Sequence, residues 1–173
     1  MKKHLPNILT LTGILLGIIA LTFVIISNNI RLAFILILIS AIIDRYDGII
    51  ARRLRAESNL GKRLDCANDI ISFSIVPSTI ILSLSPIFHF ALNILLSIIY
   101  FLASLYRLHK FSNHSEPESI KGLPTTISGT SIVFILLILD SINLSLMAQN
   151  IYIMITAVLF SMLLVQSVYF RKI

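Results

Sequence analysis

Four aspartates between long apolar stretches are the residues of this sequence best suited to chemistry. They are Asp44, Asp47, Asp65 and Asp69. Charged side chains are costly at membrane depth, so acidic residues within apolar sequence indicate a functional site. The first two aspartates are three residues apart and the last two are four apart. Each pair therefore shares one face of a helix, and two such helices can bring the carboxylates together.

The residues around the aspartates predict what this acidic site binds. Carboxylates held together repel one another, and hard oxygen ligands suit Mg²⁺, Mn²⁺ or Ca²⁺, so a divalent-metal site is predicted. Gly48 and Gly61 have no side chain, which lets a bulky ligand approach the backbone. Arg52 lies one helical turn from Gly48, and its guanidinium suits a phosphate oxygen. Metal ions and a phosphorylated ligand are therefore expected at one site.

These residues belong to a longer pattern, Asp-x2-Asp-Gly-x2-Ala-Arg-x8-Gly-x3-Asp-x3-Asp, over residues 44–69. It resembles the signature of the CDP-alcohol phosphatidyltransferase family. All eight fixed positions are matched, by Asp44, Asp47, Gly48, Ala51, Arg52, Gly61, Asp65 and Asp69. The alternative is ion pairing of the aspartates with nearby basic residues at a membrane surface. That alternative does not require glycines at both of these places.

The resemblance implies a reaction in which an alcohol hydroxyl attacks the lipid-side phosphorus of a CDP-linked lipid and CMP leaves. It implies two divalent ions, Mg²⁺ or Mn²⁺, held by Asp44, Asp47 and Asp65. It makes Asp69 the catalytic base and a further metal ligand. It also implies a site for the donor, CDP-diacylglycerol, formed by Asn7, Thr10, Gly48, Arg52, Ser58 and Gly61. Helix capping is the alternative for Asn7 and Thr10, and a plain interface serine for Ser58.

Two further segments bear on the acceptor alcohol. Arg-x2-Lys-Phe from Arg107 and Gly-Leu-Pro from Gly122 resemble elements of the membrane-integral phosphatidylserine synthases. The resemblance implies L-serine as acceptor, bound by Arg107, Lys110 and Lys121. Anchoring of these cations at the membrane surface is the alternative. Glycerol 3-phosphate or inositol phosphate as acceptor, and a cation transporter from another class, also stay open.

The composition predicts a single domain, residues 1–173, embedded in a membrane. Of 173 residues, 57% are hydrophobic and 13% charged. A water-soluble domain of this length cannot bury so much apolar surface. The net charge of +6 does not indicate a nucleic-acid partner, because the basic residues flank apolar runs. The single cysteine, Cys66, excludes an internal disulfide and a cysteine-ligated metal cluster.

Six apolar runs predict an all-α integral membrane protein with six transmembrane helices, and the resemblance implies the CDP-alcohol phosphatidyltransferase fold. The runs reach residue 26 and then cover 32–43 with continuation to 53, 61–84, 87–108, 126–139 and 151–169. Pro77 should distort the third helix, and residues 109–123 should form a polar loop. Thirteen of fourteen basic residues fall on the side of the termini, so both termini and the site should face the cytoplasm. The resemblance further implies a homodimer in the cell membrane.

Overall fold

The computed structural model describes residues 5–54, 58–84, 90–113, 123–142 and 145–166. All regular structure in these ranges is helical, which confirms the predicted all-α class. The helices are α1 Leu5–Ser27, α2 Ile30–Arg53, α3 Asn59–Ile70, α4 Val76–Ser83, α5 Phe90–Asn113, α6 Thr125–Ser141 and α7 Leu146–Val165. A π-helical turn, Ile71–Ile75, joins α3 to α4, so these form one continuous helix.

Within the described residues, four helical stretches are long and apolar enough to cross a membrane: Pro6–Ser27, Asn59–Ser83, Phe90–Lys110 and Leu146–Val165. Helix α6 is apolar but shorter, with 17 residues. Helix α2 combines an apolar first half with the charged residues of the signature. Large apolar side chains such as Leu15 and Ile155 are exposed on the outer surface, as lipid-facing residues are. An integral membrane protein follows, and the number of six spans stays a prediction.

Helices α1 and α2 form an antiparallel hairpin that brings the start of the chain to the signature. Asn28 at its turn has a φ of 45°, a conformation that asparagine tolerates better than most residues. Asn29 caps α2 by accepting a hydrogen bond from the Leu32 amide at 3.1 Å. Ala20 and Ala33 are completely buried, so the helices approach closely. The end of α1 opposite the turn therefore lies beside the aspartates.

The third membrane helix is distorted near Pro77, as predicted, and the distortion is the π-helical turn that precedes the proline. Pro77 has no amide hydrogen to donate to the carbonyl of Phe73. That carbonyl accepts a hydrogen bond from the Tyr100 hydroxyl of α5 at 3.2 Å. Gly129 of α6 packs against the same backbone, where a Cβ would lie 2.8 Å from the Phe73 oxygen. Three helices therefore meet at the turn that follows Asp69.

Two sequence-based boundaries were wrong. Helix α5 continues to Asn113, so residues 109–113 are helical although they were predicted as loop. A helix satisfies its own backbone hydrogen bonds, so it can continue into the polar interface. Helix α7 begins at Leu146 rather than at 151. Asn150, which precedes the predicted run, is buried against α5, where its Oδ1 accepts from Asn93 at 3.3 Å.

Candidate active site

Three carboxylates from two helices meet where α2 ends and α3 begins. Asp44, Asp47 and Asp65 each offer an oxygen atom, and these atoms all lie within 4.8 Å of one another. Asp47 is buried, Asp44 is half-buried and Asp65 is exposed. Such close carboxylates repel one another, and a divalent cation between them removes the repulsion. An all-oxygen donor set fits Mg²⁺ or Mn²⁺, so the structure brings together three of the four predicted metal ligands.

Helix α1 reaches this group through Thr10. The buried Thr10 hydroxyl lies 2.6 Å from Asp47 Oδ2 and 3.0 Å from the Pro6 carbonyl oxygen. Its single hydrogen is donated best to the closer, charged acceptor. Thr10 therefore holds a carboxylate of the acidic group.

A buried polar network holds Asp44 from the other side. Asn68 Nδ2 donates to Asp44 Oδ1 at 3.2 Å, while Asn68 Oδ1 accepts from Ser40 at 3.2 Å and Ser72 at 3.1 Å. Asn68, Ser40 and Ser72 have no exposed surface. Gly13 leaves room for the amide, since a Cβ there would lie 3.1 Å from Asn68 Oδ1. The network fixes where the first aspartate of the signature points.

Sequence reasoning overlooked Asn68, although one signal was present. Asn68 precedes Asp69 on an apolar helix, and polar side chains in membrane helices usually face a partner inside the bundle. The fixed positions of the signature do not include residue 68. Two asparagines, Asn59 and Asn68, lie between signature positions, and Asn68 is the one that lies between Asp65 and Asp69.

A cavity of about 240 Å³ opens beside the carboxylates. All six residues predicted to contact the CDP-lipid line it, together with two aspartates of the acidic group. The lining residues are Pro6, Asn7, Thr10, Asp47, Gly48, Ala51, Arg52, Ser58, Gly61, Lys62 and Asp65. A Cβ at Gly48 would meet nothing within 4 Å, so the backbone of α2 faces open space at this point.

The start of α3 forms one wall of the cavity. Ser58 caps this helix by accepting a hydrogen bond from the Gly61 amide at 3.0 Å. A Cβ at Gly61 would lie 3.2 Å from Asn7 Oδ1 and 3.2 Å from Ser58 Oγ. Glycine at this position therefore permits the close approach of α1 to the cap. Ser58 is both a helix cap and part of the cavity wall.

Asp69 stands one turn beyond Asp65, close enough to the three carboxylates for their charges to interact, and one of its oxygens contacts α6. Its Oδ2 accepts a hydrogen bond from the Thr125 hydroxyl at 3.2 Å. Its Oδ1 is buried and has no hydrogen-bond partner among the described residues. A buried acceptor without a donor is unfavourable, so a ligand that carries a hydroxyl would satisfy it. One carboxylate oxygen of the predicted base is therefore hydrogen-bonded to Thr125, and the other has no hydrogen-bond partner among the described residues.

The three residues predicted to bind the acceptor alcohol differ in their surroundings. Arg107 of α5 is half-buried and close enough to Asp69 for their charges to interact. Its Nε is buried without a hydrogen-bond partner in the described part of the chain. Lys110 Nζ lies 5.8 Å from the centre of the Tyr106 ring on the same helix. Lys121 lies outside the described residues. Arg107 is therefore the one described member of this set that adjoins Asp69.

Known proteins are similar to this chain over about three quarters of its length. The CDP-diacylglycerol–serine O-phosphatidyltransferase of Bacillus subtilis (strain 168) is 27% identical over 134 residues, covering 77% of this chain and 75% of that protein. The protein of the same name from Helicobacter pylori (strain ATCC 700392 / 26695) is 28% identical over 136 residues, covering 77% and 57%. An archaetidylserine synthase of Methanothermobacter thermautotrophicus is 28% identical over 131 residues, covering 74% and 55%.

The chain therefore spans three quarters of the Bacillus protein and little more than half of the other two. A family model described as CDP-alcohol phosphatidyltransferase matches residues 3–163, which is nearly the whole chain. This match confirms the resemblance inferred from the signature, and it favours a transferase over a cation transporter. The chain belongs to the CDP-alcohol phosphatidyltransferase family.

Proposed function

We propose that this chain is an integral membrane enzyme that transfers a phosphatidyl group from CDP-diacylglycerol to the hydroxyl of L-serine, giving phosphatidylserine and CMP. Family membership supports the donor chemistry, and the serine-containing names of the relatives support the acceptor. The observation that carries the proposal is the carboxylate group beside a cavity lined by all six predicted donor residues.

The cavity receives the CDP head group of the donor. Arg52 pairs with a phosphate oxygen, and the open backbone at Gly48 lets the nucleotide lie against α2. Asp44, Asp47 and Asp65 hold the divalent ions, Mg²⁺ or Mn²⁺. When bound, these ions neutralise the diphosphate and the negative charge that develops on the leaving CMP.

Asp69 accepts the proton of the acceptor hydroxyl through its unpartnered Oδ1. The hydroxyl oxygen forms a bond to the lipid-side phosphorus, and the bond between that phosphorus and the CMP oxygen breaks. CMP leaves with the electron pair. Arg107 binds the carboxylate of serine, since its charge adjoins Asp69 and its buried Nε is free to donate. Helices α3 and α5 thus activate and orient the same acceptor.

The same proposal includes six membrane spans, cytoplasmic termini and a homodimer in the cell membrane. The basic residues Arg45, Arg52, Arg53, Lys62 and Arg63 support the orientation, since they surround the end of α2 and the start of α3. Lysine and arginine near membrane helix ends favour the cytoplasmic side. A water-soluble acceptor and the nucleotide would then reach the site from the cytoplasm, while the acyl chains stay in lipid.

The test is an incubation of the purified protein with labelled CDP-diacylglycerol, Mg²⁺ or Mn²⁺, and one acceptor at a time. The acceptors are L-serine, glycerol 3-phosphate and inositol phosphate. CMP release and phosphatidylserine formation that require serine are the expected result. Release that requires another acceptor would overturn the serine assignment. An absence of release with every acceptor would overturn the transferase itself.

A further inference from the structure

Thr125 is the first residue of α6, yet its hydroxyl forms a hydrogen bond to a residue of α3. It donates to Asp69 Oδ2 at 3.2 Å, and only 5% of the Thr125 surface is exposed. Threonine near a helix start commonly caps its own helix, but α6 has no side-chain cap hydrogen bond. The hydroxyl is thus directed across the bundle at the carboxylate.

The backbone around Thr125 holds this hydroxyl in place. Pro124 has a φ of −53° and a ψ of 140°, which directs the chain into α6. Its carbonyl accepts the Ser128 amide at 2.8 Å, closing the first helical turn. One turn along, Gly129 lies against the Phe73 backbone, where a Cβ would lie 2.7 Å from the Phe73 Cβ. This contact seats the start of α6 directly on the helix that carries Asp69.

We propose that Thr125 is a positioning residue of the transfer reaction, which holds Oδ2 of Asp69 and so presents Oδ1 to the acceptor hydroxyl. This inference rests on the proposed function, because it concerns the base of that reaction. The final torsion of an aspartate side chain is broad, so a carboxylate held by no donor samples many orientations. Proton transfer requires the accepting oxygen within hydrogen-bond reach of the hydroxyl.

The position of Thr125 also separates this role from donor binding. Thr125 does not line the cavity beside the carboxylates, and its side-chain hydroxyl donates to Asp69. Removal of its hydroxyl should therefore slow the chemical step without weakening the affinity for the CDP-lipid. Substitution of a residue that only stabilised the fold would not slow the chemical step while leaving the affinity for the CDP-lipid unchanged.

The experiment compares Thr125→Val, which lacks the donor at almost the same volume, with Thr125→Ser, which keeps it. Thr126→Val, one residue along the same helix, is the matched control. Both kcat and KM are measured for serine-dependent CMP release, together with equilibrium binding of CDP-diacylglycerol and the thermal unfolding midpoint. We expect kcat of Thr125→Val to fall about 10- to 100-fold, the scale of a misoriented catalytic group. Donor binding should stay unchanged.

Thr125→Ser should recover kcat to within about threefold of wild type, because the hydroxyl is the feature that matters. Thr125→Ala gives the same comparison if valine prevents folding. A wild-type kcat in the variants without a hydroxyl, or an equal loss in Thr125→Ser, would overturn the positioning role alone. If the wild-type protein releases no CMP with any acceptor, the proposed function fails and this inference fails with it.

Discussion

Asn68 Nδ2 donates to Asp44 Oδ1 at 3.2 Å, and this bond joins the acidic group to the interior of the helix bundle. The amide oxygen of Asn68 accepts from two buried serines, so the amide cannot turn without losing several hydrogen bonds. Asp44 is therefore oriented before any ion or substrate arrives. Such preorganisation allows three carboxylates to converge despite their repulsion.

Asn68→Leu should impair both stability and metal use. Leucine removes the donor to Asp44 and the acceptor for Ser40 and Ser72, and each buried polar group left unpaired costs about 1–3 kcal/mol. We expect a lower thermal unfolding midpoint and a higher Mg²⁺ concentration for half-maximal CMP release. Asn93→Leu is the matched control, because Asn93 pairs with Asn150 instead. An unchanged Mg²⁺ requirement in Asn68→Leu would contradict the role of the network.

Two glycine substitutions should affect different properties: Gly17→Ala should lower stability, and Gly48→Ala should raise the KM for CDP-diacylglycerol. A Cβ at Gly17 would overlap Ser72 Oγ and lie 3.1 Å from Ile71 Cγ2, so Gly17→Ala should separate α1 from the third membrane helix. Overpacking of this kind costs about 1–3 kcal/mol of unfolding free energy. Gly48→Ala adds its methyl group where no atom lies within 4 Å.

For Gly48→Ala we therefore expect unchanged stability and a higher KM for CDP-diacylglycerol, because the methyl group enters the space in which we propose that the nucleotide binds. Thermal unfolding and donor-dependent kinetics on both variants provide the measurement. A stability loss in Gly48→Ala equal to that of Gly17→Ala would show that the region beside Gly48 is packed rather than open.

Arg107→Gln should raise the KM for serine while the KM for the lipid donor stays constant. A hydrogen bond to a charged group is worth about 1.5–3 kcal/mol, which corresponds to about 10- to 100-fold in affinity. Lys110→Gln should have a smaller effect, because Lys110 lies over the Tyr106 ring. Kinetics with each substrate varied in turn would test this. An equal increase in the KM for serine in both variants would contradict a specific contact with Arg107 and would indicate a general attraction of anions by the positive charges.

Metal removal should abolish transfer, and Mg²⁺ or Mn²⁺ should restore it. An ion that binds only the folded protein adds about 2.7 kcal/mol of stability at a hundredfold excess over its Kd. We expect Mg²⁺ to raise the unfolding midpoint of the wild-type protein but not that of Asp65→Asn. An equal increase in both proteins would show that the ion binds elsewhere.

The sequence was sufficient for those parts of the site that depend on local spacing. Asp44 and Asp47 share a helical face by their separation alone, and six of the eleven residues that line the cavity are positions of the signature. Asn68 and Thr125 were missed because their partners lie 24 and 56 positions away in the chain. Which helices adjoin each other is a property of the packed bundle, which helical periodicity does not reveal.

The backbone distortion near Pro77 also depends on contacts between helices that the sequence does not reveal. A proline inside a helix predicts an unpaired carbonyl, here that of Phe73. The form of the distortion depends on Tyr100, which donates to that carbonyl, and on Gly129, which packs against it. Both residues belong to other helices, so their proximity emerged only from the structure.

The most direct test of the account is serine-dependent CMP release by wild-type protein, Asp69→Asn and Asp140→Asn, with binding of CDP-diacylglycerol measured on the same preparations. Asp140 is an exposed aspartate at the end of α6 and serves as the control. Loss of a general base lowers turnover by about 100- to 10,000-fold. We predict that loss for Asp69→Asn with donor binding retained, and wild-type rates for Asp140→Asn. Turnover of Asp69→Asn at the wild-type rate would contradict the account.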